Sequence, residues 1–215
     1  MTEIANQDTS LTAVERSMGN REIAEGSART AVLKRRYNAS VDDVWDAITT
    51  PDRINRFFLP VSGDFQVGGS YAFEGQASGE ILACDAPHLL RLQWTPPGDR
   101  GYSDQVEIRL TADGPDATWL ELEHASVADV FRNDPDTGCY GVGTGWEGPL
   151  HYLGEYLRGT LPDAPSTEWY TFDEAEELRL ANSEGGSGQR SRQSTATDNA
   201  QFFENGHRMA VCFVS

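Results

Sequence analysis

The sequence predicts an α+β domain in which an antiparallel sheet packs against one long C-terminal helix, with two short helices after the first strand. Three observations carry this. Trp146, Leu150, Leu153 and Leu157 recur at spacings of four, three and four, which puts them on one face of a helix. Between Ser62 and His124 apolar and polar residues alternate in short runs broken by Gly, Pro and Asp, the texture of a meander with one apolar side. Two helix-start signals, Ser40 with Asp43 and Thr50 with Pro51, fall just after the first alternating run.

Taken in order, residues 1–28 are polar and acidic with scattered apolar positions, and read as a mobile extension. Thr30 to Tyr37 alternate as a first strand. Ser40 can accept from a free amide of the first turn while Asp43 favours its positive end, so a helix runs from Val41 to Thr49. Thr50 then caps a second helix, with Pro51 where its missing N–H costs nothing and Leu59-Pro60 as its end. Strands follow at Gly63–Val67, leading to a turn at Gly68-Gly69, at Tyr71–Phe73, Gly79–Cys84, Leu90–Trp94, Val106–Leu110 and Leu120–Leu122. Residues 125–140 read as a polar connection with one helical turn over Val127–Arg132. The long helix spans Gly143 to Leu157, and Gly148-Pro149 inside it either delays its start or kinks it.

These boundaries give an extension (1–28), a domain (29–161) and a tail (162–215). The tail opens with seven acids and one Arg over residues 162–184, with an exposed helix predicted at Asp173–Ala181, and turns Gly/Ser-rich and disordered after Gly185.

The chain has 34 acids against 17 bases, a net charge of −17. Nucleic acid and anionic membrane surfaces are bound through surplus Lys and Arg, so neither is an expected partner. Cys84, Cys139 and Cys212 are odd in number and form no C-x-x-C pair, which fits a reducing, cytoplasmic setting. No basic start leads into an apolar run, and no segment approaches about 18 consecutive apolar residues. Cys212-Phe-Val-Ser215 has the shape of a prenylation ending, but without a polybasic run it reads as chance.

Residues 32–159 resemble the START-like helix-grip superfamily (SRPBCC), and within it the bacterial proteins similar to the C-terminal domain of the activator of Hsp90 ATPase. The residues that carry the resemblance are Asn38-Ala-Ser-Val-Asp-Asp-Val-Trp-Asp-Ala-Ile-Thr-Thr-Pro-Asp-Arg-Ile54, Phe58-Leu-Pro60, Val67-Gly-Gly69, Gly79 to Pro87, Leu92-Gln-Trp94, Leu120 to His124 and Gly145-Trp146. It implies a curved antiparallel sheet gripping the C-terminal helix over an apolar cavity. Many members of the superfamily bind hydrophobic small molecules, and others bind the Hsp90 chaperone.

Candidate ligand-lining residues are Trp45, Phe58, Tyr71, Phe73, Trp94, Val106, Ile108, Leu122, His124, Trp146, Leu150 and Leu153, all placed inward by parity or helical spacing. Among inward positions only Tyr71 and His124 could move a proton, and a hydrogen-bonded structural role is the plainer reading of His124. Gly143-Thr-Gly-Trp-Glu-Gly148 spells G-x-G-x-x-G, but no strand–loop–helix–strand unit surrounds it. Glu147, His151 and Glu155 share a helix face that reads as solvated, not metal-binding. No cofactor or metal is expected. Three functions remain open: binding of a hydrophobic or aromatic small molecule without catalysis, a chaperone-associated stress-response domain, and a polyketide aromatase/cyclase-like enzyme using Tyr71 or His124.

Overall fold

The computed structural model describes residues 14–98, 101–128 and 137–161, with side chains from residue 145 onward in the last span. The expectations for residues 1–13 and 162–215, and most of the helical turn at Val127–Arg132, lie outside these residues.

The chain order is β1 (Glu15–Ile23), β2 (Gly26–Tyr37), α1 (Val41–Thr49), α2 (Pro51–Phe57), β3 (Val61–Gly63), β4 (Ser70–Phe73), β5 (Ser78–Asp85), β6 (Leu89–Trp94), β7 (Asp104–Ala112), β8 (Thr118–Ser126) and α3 (Thr137–Leu157). The strands form one curved, open antiparallel sheet in the order β1-β2-β8-β7-β6-β5-β4-β3, with α3 against its inner face. This is the helix-grip arrangement expected from the sequence.

Local chemistry explains the early helices. Ser40 accepts a hydrogen bond from the Asp43 amide at 3.2 Å, capping α1 as its spacing predicts. Thr50 departs from expectation. Its side chain does not cap α2 but donates to Asp46 at 2.8 Å, and Pro51 sits in the first turn of α2.

The largest departure is β1. Residues 15–23, read from sequence as part of a mobile extension, pair with β2 along their whole length, from Glu15 opposite Lys34 to Ile23 opposite Gly26. The hairpin turn is only Ala24-Glu25, and Gly26 adopts a φ of 127° that other residues avoid. Because β1 comes first, α1 and α2 follow the second strand instead of the first.

Inward residues of β2, β6, β7 and β8 build the core: Leu33, Leu90, Leu92, Val106, Ile108, Leu120 and Leu122 are all buried. A register shift between Ile81 and Ala83 marks a bulge in β5, a distortion that bends a strand. α3 begins at Thr137, earlier than the predicted Gly143, and continues through Pro149.

Candidate functional site

The layer between the sheet and α3 has two ends of different chemistry. At one end six rings touch in series. Phe58 meets Phe73 edge-on at 5.1 Å between centroids, and Phe73 meets Tyr71 at 6.0 Å and Trp94 at 6.1 Å. Trp94 lies 5.0 Å from Trp146 and 6.4 Å from His124. Such pairs contribute roughly 0.5–1.5 kcal/mol each beyond the area they bury.

At the other end Ile108, Leu122, Leu150 and Leu153, joined by Ile48, Phe57, Leu120 and Pro149, surround a cavity of about 10 Å³. That is roughly room for one water molecule, against some 300 Å³ or more for a ligand pocket. As folded, this end is filled by side chains. Of the other predicted lining residues, Val106 is buried opposite His124, while Trp45 is half-buried on α1 against the core margin. Sequence parity brought nearly the whole set to one layer, but parity does not distinguish a packed face from a hollow one.

The polar groups of this layer are committed. The Trp146 indole N–H, which can only donate, reaches His124 Nδ1 at 3.1 Å. Nδ1 is therefore the acceptor, and the proton on Nε2 is donated to Asp104 Oδ2 at 3.0 Å. The chain Asp104–His124–Trp146 is buried throughout and fixes His124 in one tautomer. Tyr71 donates to the Gln93 carbonyl at 2.6 Å. Both candidate acid–base groups are thus engaged in structural hydrogen bonds. Asp104 escaped the sequence reading although it shares the parity of Val106 and Ile108.

The β1–β2 side of α3 forms a polar seam. Glu147, expected to be solvated, is fully buried and bonded to Arg16 of β1. The missing strand explains the misreading: Arg16 reaches from β1 to the helix face that carries Glu147. Farther along, Glu155 is held below its ordinary range, because hydrogen bonds from Thr160 and Arg158 outweigh its partial burial. Tyr37 crosses from β2 to donate to the Leu150 carbonyl at 2.8 Å, and burial pushes its phenol well up despite Arg35 and Arg158 nearby.

Arg35 itself is 2 % exposed, on the inner face where the sequence pointed only to Tyr71 and His124 as polar candidates. Its parity with Leu33 and Tyr37 was the available signal. Among the described residues no cluster of three metal-ligating side chains occurs, and Cys84 is a half-buried free thiol that burial pushes up. No helix among them is long and apolar enough to cross a membrane.

A larger space lies on the opposite face of the sheet. Arg21, Arg91, Glu107, Arg109, Glu121 and Glu123 line a cleft of about 270 Å³. Its charges answer one another: Arg21 stands 2.5 Å from Glu123, and Glu107 takes both Arg91 at 2.5 Å and Arg109.

Residues 38–158, more than half of the chain, match the sequence profile of the family described as activator of Hsp90 ATPase homolog 1-like protein. The chain belongs to this family. Its helix-grip architecture is shared with CalU16 from Micromonospora echinospora, whose crystal structure is 38% identical, covers 80% of this chain and 95% of its own, and superposes with a TM-score of 0.65. The solution structure of CalU16 gives 39% identity, coverage of 80% and 92%, and a TM-score of 0.67. PFC0360w, an HSP90 activator from Plasmodium falciparum, is 19% identical over 62% of this chain and 97% of its own, with a TM-score of 0.53, a likeness of fold alone. No curated protein matches the chain.

Proposed function

We propose that this family member is a cytoplasmic binding protein that takes a hydrophobic or aromatic small molecule into the layer between the sheet and α3. The observation that supports this reading is the row of six touching rings roofed by a helix with a built-in weak point. Pro149 has no N–H for the Gly145 carbonyl, and Gly148 beside it lowers helix stability further.

The present space of about 10 Å³ means that a ligand enters only if α3 moves. The energies allow it. Lifting Trp146 out of its packing costs about 3–5 kcal/mol, by analogy with truncating a buried aromatic. A two- or three-ring ligand burying on the order of 250 Å² regains roughly 6 kcal/mol at 25 cal/mol per Å². The balance, about 1–3 kcal/mol, is weaker than millimolar affinity unless polar recognition is added.

The test is native mass spectrometry of the protein purified from its own host, followed by denaturing extraction. A co-purifying organic molecule, together with quenching of the buried tryptophans when it is added back, is the expected result. Absence of any adduct, with tryptophan emission unmoved by a panel of fused-ring aromatics, would sink the reading.

The family description favours a second reading, a chaperone-associated domain. Capture of an Hsp90-type partner and a change in its ATPase rate on addition of this protein would support it, and an unchanged rate would count against it.

A further inference from the structure

Arg35 is among the largest fully buried side chains, and it projects from the inner face of β2 between Leu33 and Tyr37. Across the sheet its register partner is Leu120, which lines the small cavity under α3. A guanidinium keeps its charge in proteins, and a buried charge is costly unless paired. Yet Arg35 Nη1 has no hydrogen-bond partner, and among the described residues no carboxylate forms an ion pair with Arg35.

Among the described side chains of α3, both acids have basic or hydroxyl partners of their own. Glu147 is taken by Arg16, and Glu155 by Arg158 and Thr160. The Tyr37 ring lies 6.0 Å from the Arg35 guanidinium carbon, a loose cation–π contact, and burial keeps its hydroxyl protonated. The outer face offers the contrast, since every guanidinium in its cleft stands beside a glutamate. Among the described residues the inner face thus holds a cation with no carboxylate assigned to it, at the edge of the layer that the proposed ligand would enter.

We infer that Arg35 is the anion-recognition group of this layer, and that the ligand is an organic monoanion: an aromatic or aliphatic body carrying one carboxylate, sulfonate or comparable group. This rests on the ligand-binding reading above and narrows it. A charge-assisted hydrogen bond in a low-dielectric interior adds both affinity and orientation to what apolar burial alone provides. Guanidinium geometry further favours planar two-oxygen anions over a neutral carbonyl.

The experiment compares two dyes of nearly the same shape, the anionic 8-anilinonaphthalene-1-sulfonate and the neutral N-phenyl-1-naphthylamine, on the full chain and on Arg35→Met and Arg35→Lys. The expected result is that Arg35→Met weakens the anionic dye at least tenfold and leaves the neutral dye within twofold, while Arg35→Lys recovers part of the loss. Loss of both dyes, or of neither, in Arg35→Met overturns the role of Arg35 and leaves the ligand reading intact. Failure of both dyes to bind the unaltered protein overturns the ligand reading itself. Should Arg35→Met not fold, the unaltered protein decides: 1-naphthoate is expected to raise its melting temperature and 1-naphthalenemethanol not to, and equal shifts overturn the inference.

Discussion

The two faces of the same strands solve the problem of charge and space in opposite ways. On the outer face of β6, β7 and β8 a cleft of about 270 Å³ is lined by three arginines and three glutamates that neutralise one another. On the inner face the cavity beside α3 is about 10 Å³ with an apolar lining, and Arg35, unlike Arg16, has no carboxylate partner among the described residues. Volume alone would direct attention to the outer cleft. Chemistry directs it inward, because a self-neutralised surface cleft has little left to offer a ligand, whereas the inner layer has an aromatic row, a weakened helix and an unanswered charge.

The largest effect expected from this contrast is at Trp146. It is fully buried, touches Trp94 and holds His124 Nδ1, so Trp146→Ala removes packing and leaves a buried acceptor unpaired. A loss of about 3–5 kcal/mol is expected by urea unfolding. A loss below about 1 kcal/mol would mean that the aromatic end is loosely filled, and the contrast between the faces would collapse. The next effect has the opposite sign. Pro149→Ala restores the N–H that the Gly145 carbonyl lacks and is expected to stabilise the protein by about 1–3 kcal/mol while slowing ligand uptake. Stabilisation without slower uptake would show that entry does not pass through this break in α3.

What the sequence disclosed follows the same division. The inner faces of β6 to β8 were legible because apolar residues alternate with charges, as in Leu90, Leu92 and Trp94. α1 was legible to the residue because Ser40 and Asp43 are a local signal. β1 was hidden because Glu15 to Ile23 has no apolar alternation, and Met18 on it is 45 % exposed. What holds β1 is pairing with β2 and two arginines that reach distant partners, Arg16 to Glu147 and Arg21 to Gln105. Contacts 84 and 131 residues apart leave no trace in periodicity. The same gap hid the burial of Glu147. The size of the cavity was hidden for a different reason: the same pattern of inward leucines serves a packed layer and a hollow one.

A smaller effect separates the faces by pH. Burial raises the folded-state value of Tyr37 above its ordinary value near 10. Its contribution to stability is therefore fully present below about pH 10 and is lost as pH rises through the folded-state value. Tyr37→Phe is expected to lose about 0.5–1.5 kcal/mol at pH 7 through the bond to the Leu150 carbonyl. The difference between the two proteins should then shrink above pH 10, as followed by urea midpoints. A constant difference up to pH 11 would mean that the phenol is reached by water and that the β2–α3 seam is open.

The smallest effect is expected on the outer face, and it tests whether that cleft is as self-sufficient as its pairings imply. The Arg109 side chain is 53 % exposed and bonds Glu107, which is 7 % exposed. Glu107 keeps Arg91 at 2.5 Å when Arg109 is removed, so its buried carboxylate is not left alone. Arg109→Gln should therefore change stability by less than about 0.5 kcal/mol, and 1 M salt should reduce even that. A loss above about 1.5 kcal/mol, insensitive to salt, would mean that Glu107 depends on both arginines at once. The outer cleft would then hold a strained charge balance, and its 270 Å³ would become the better place to look for a bound cation or zwitterion.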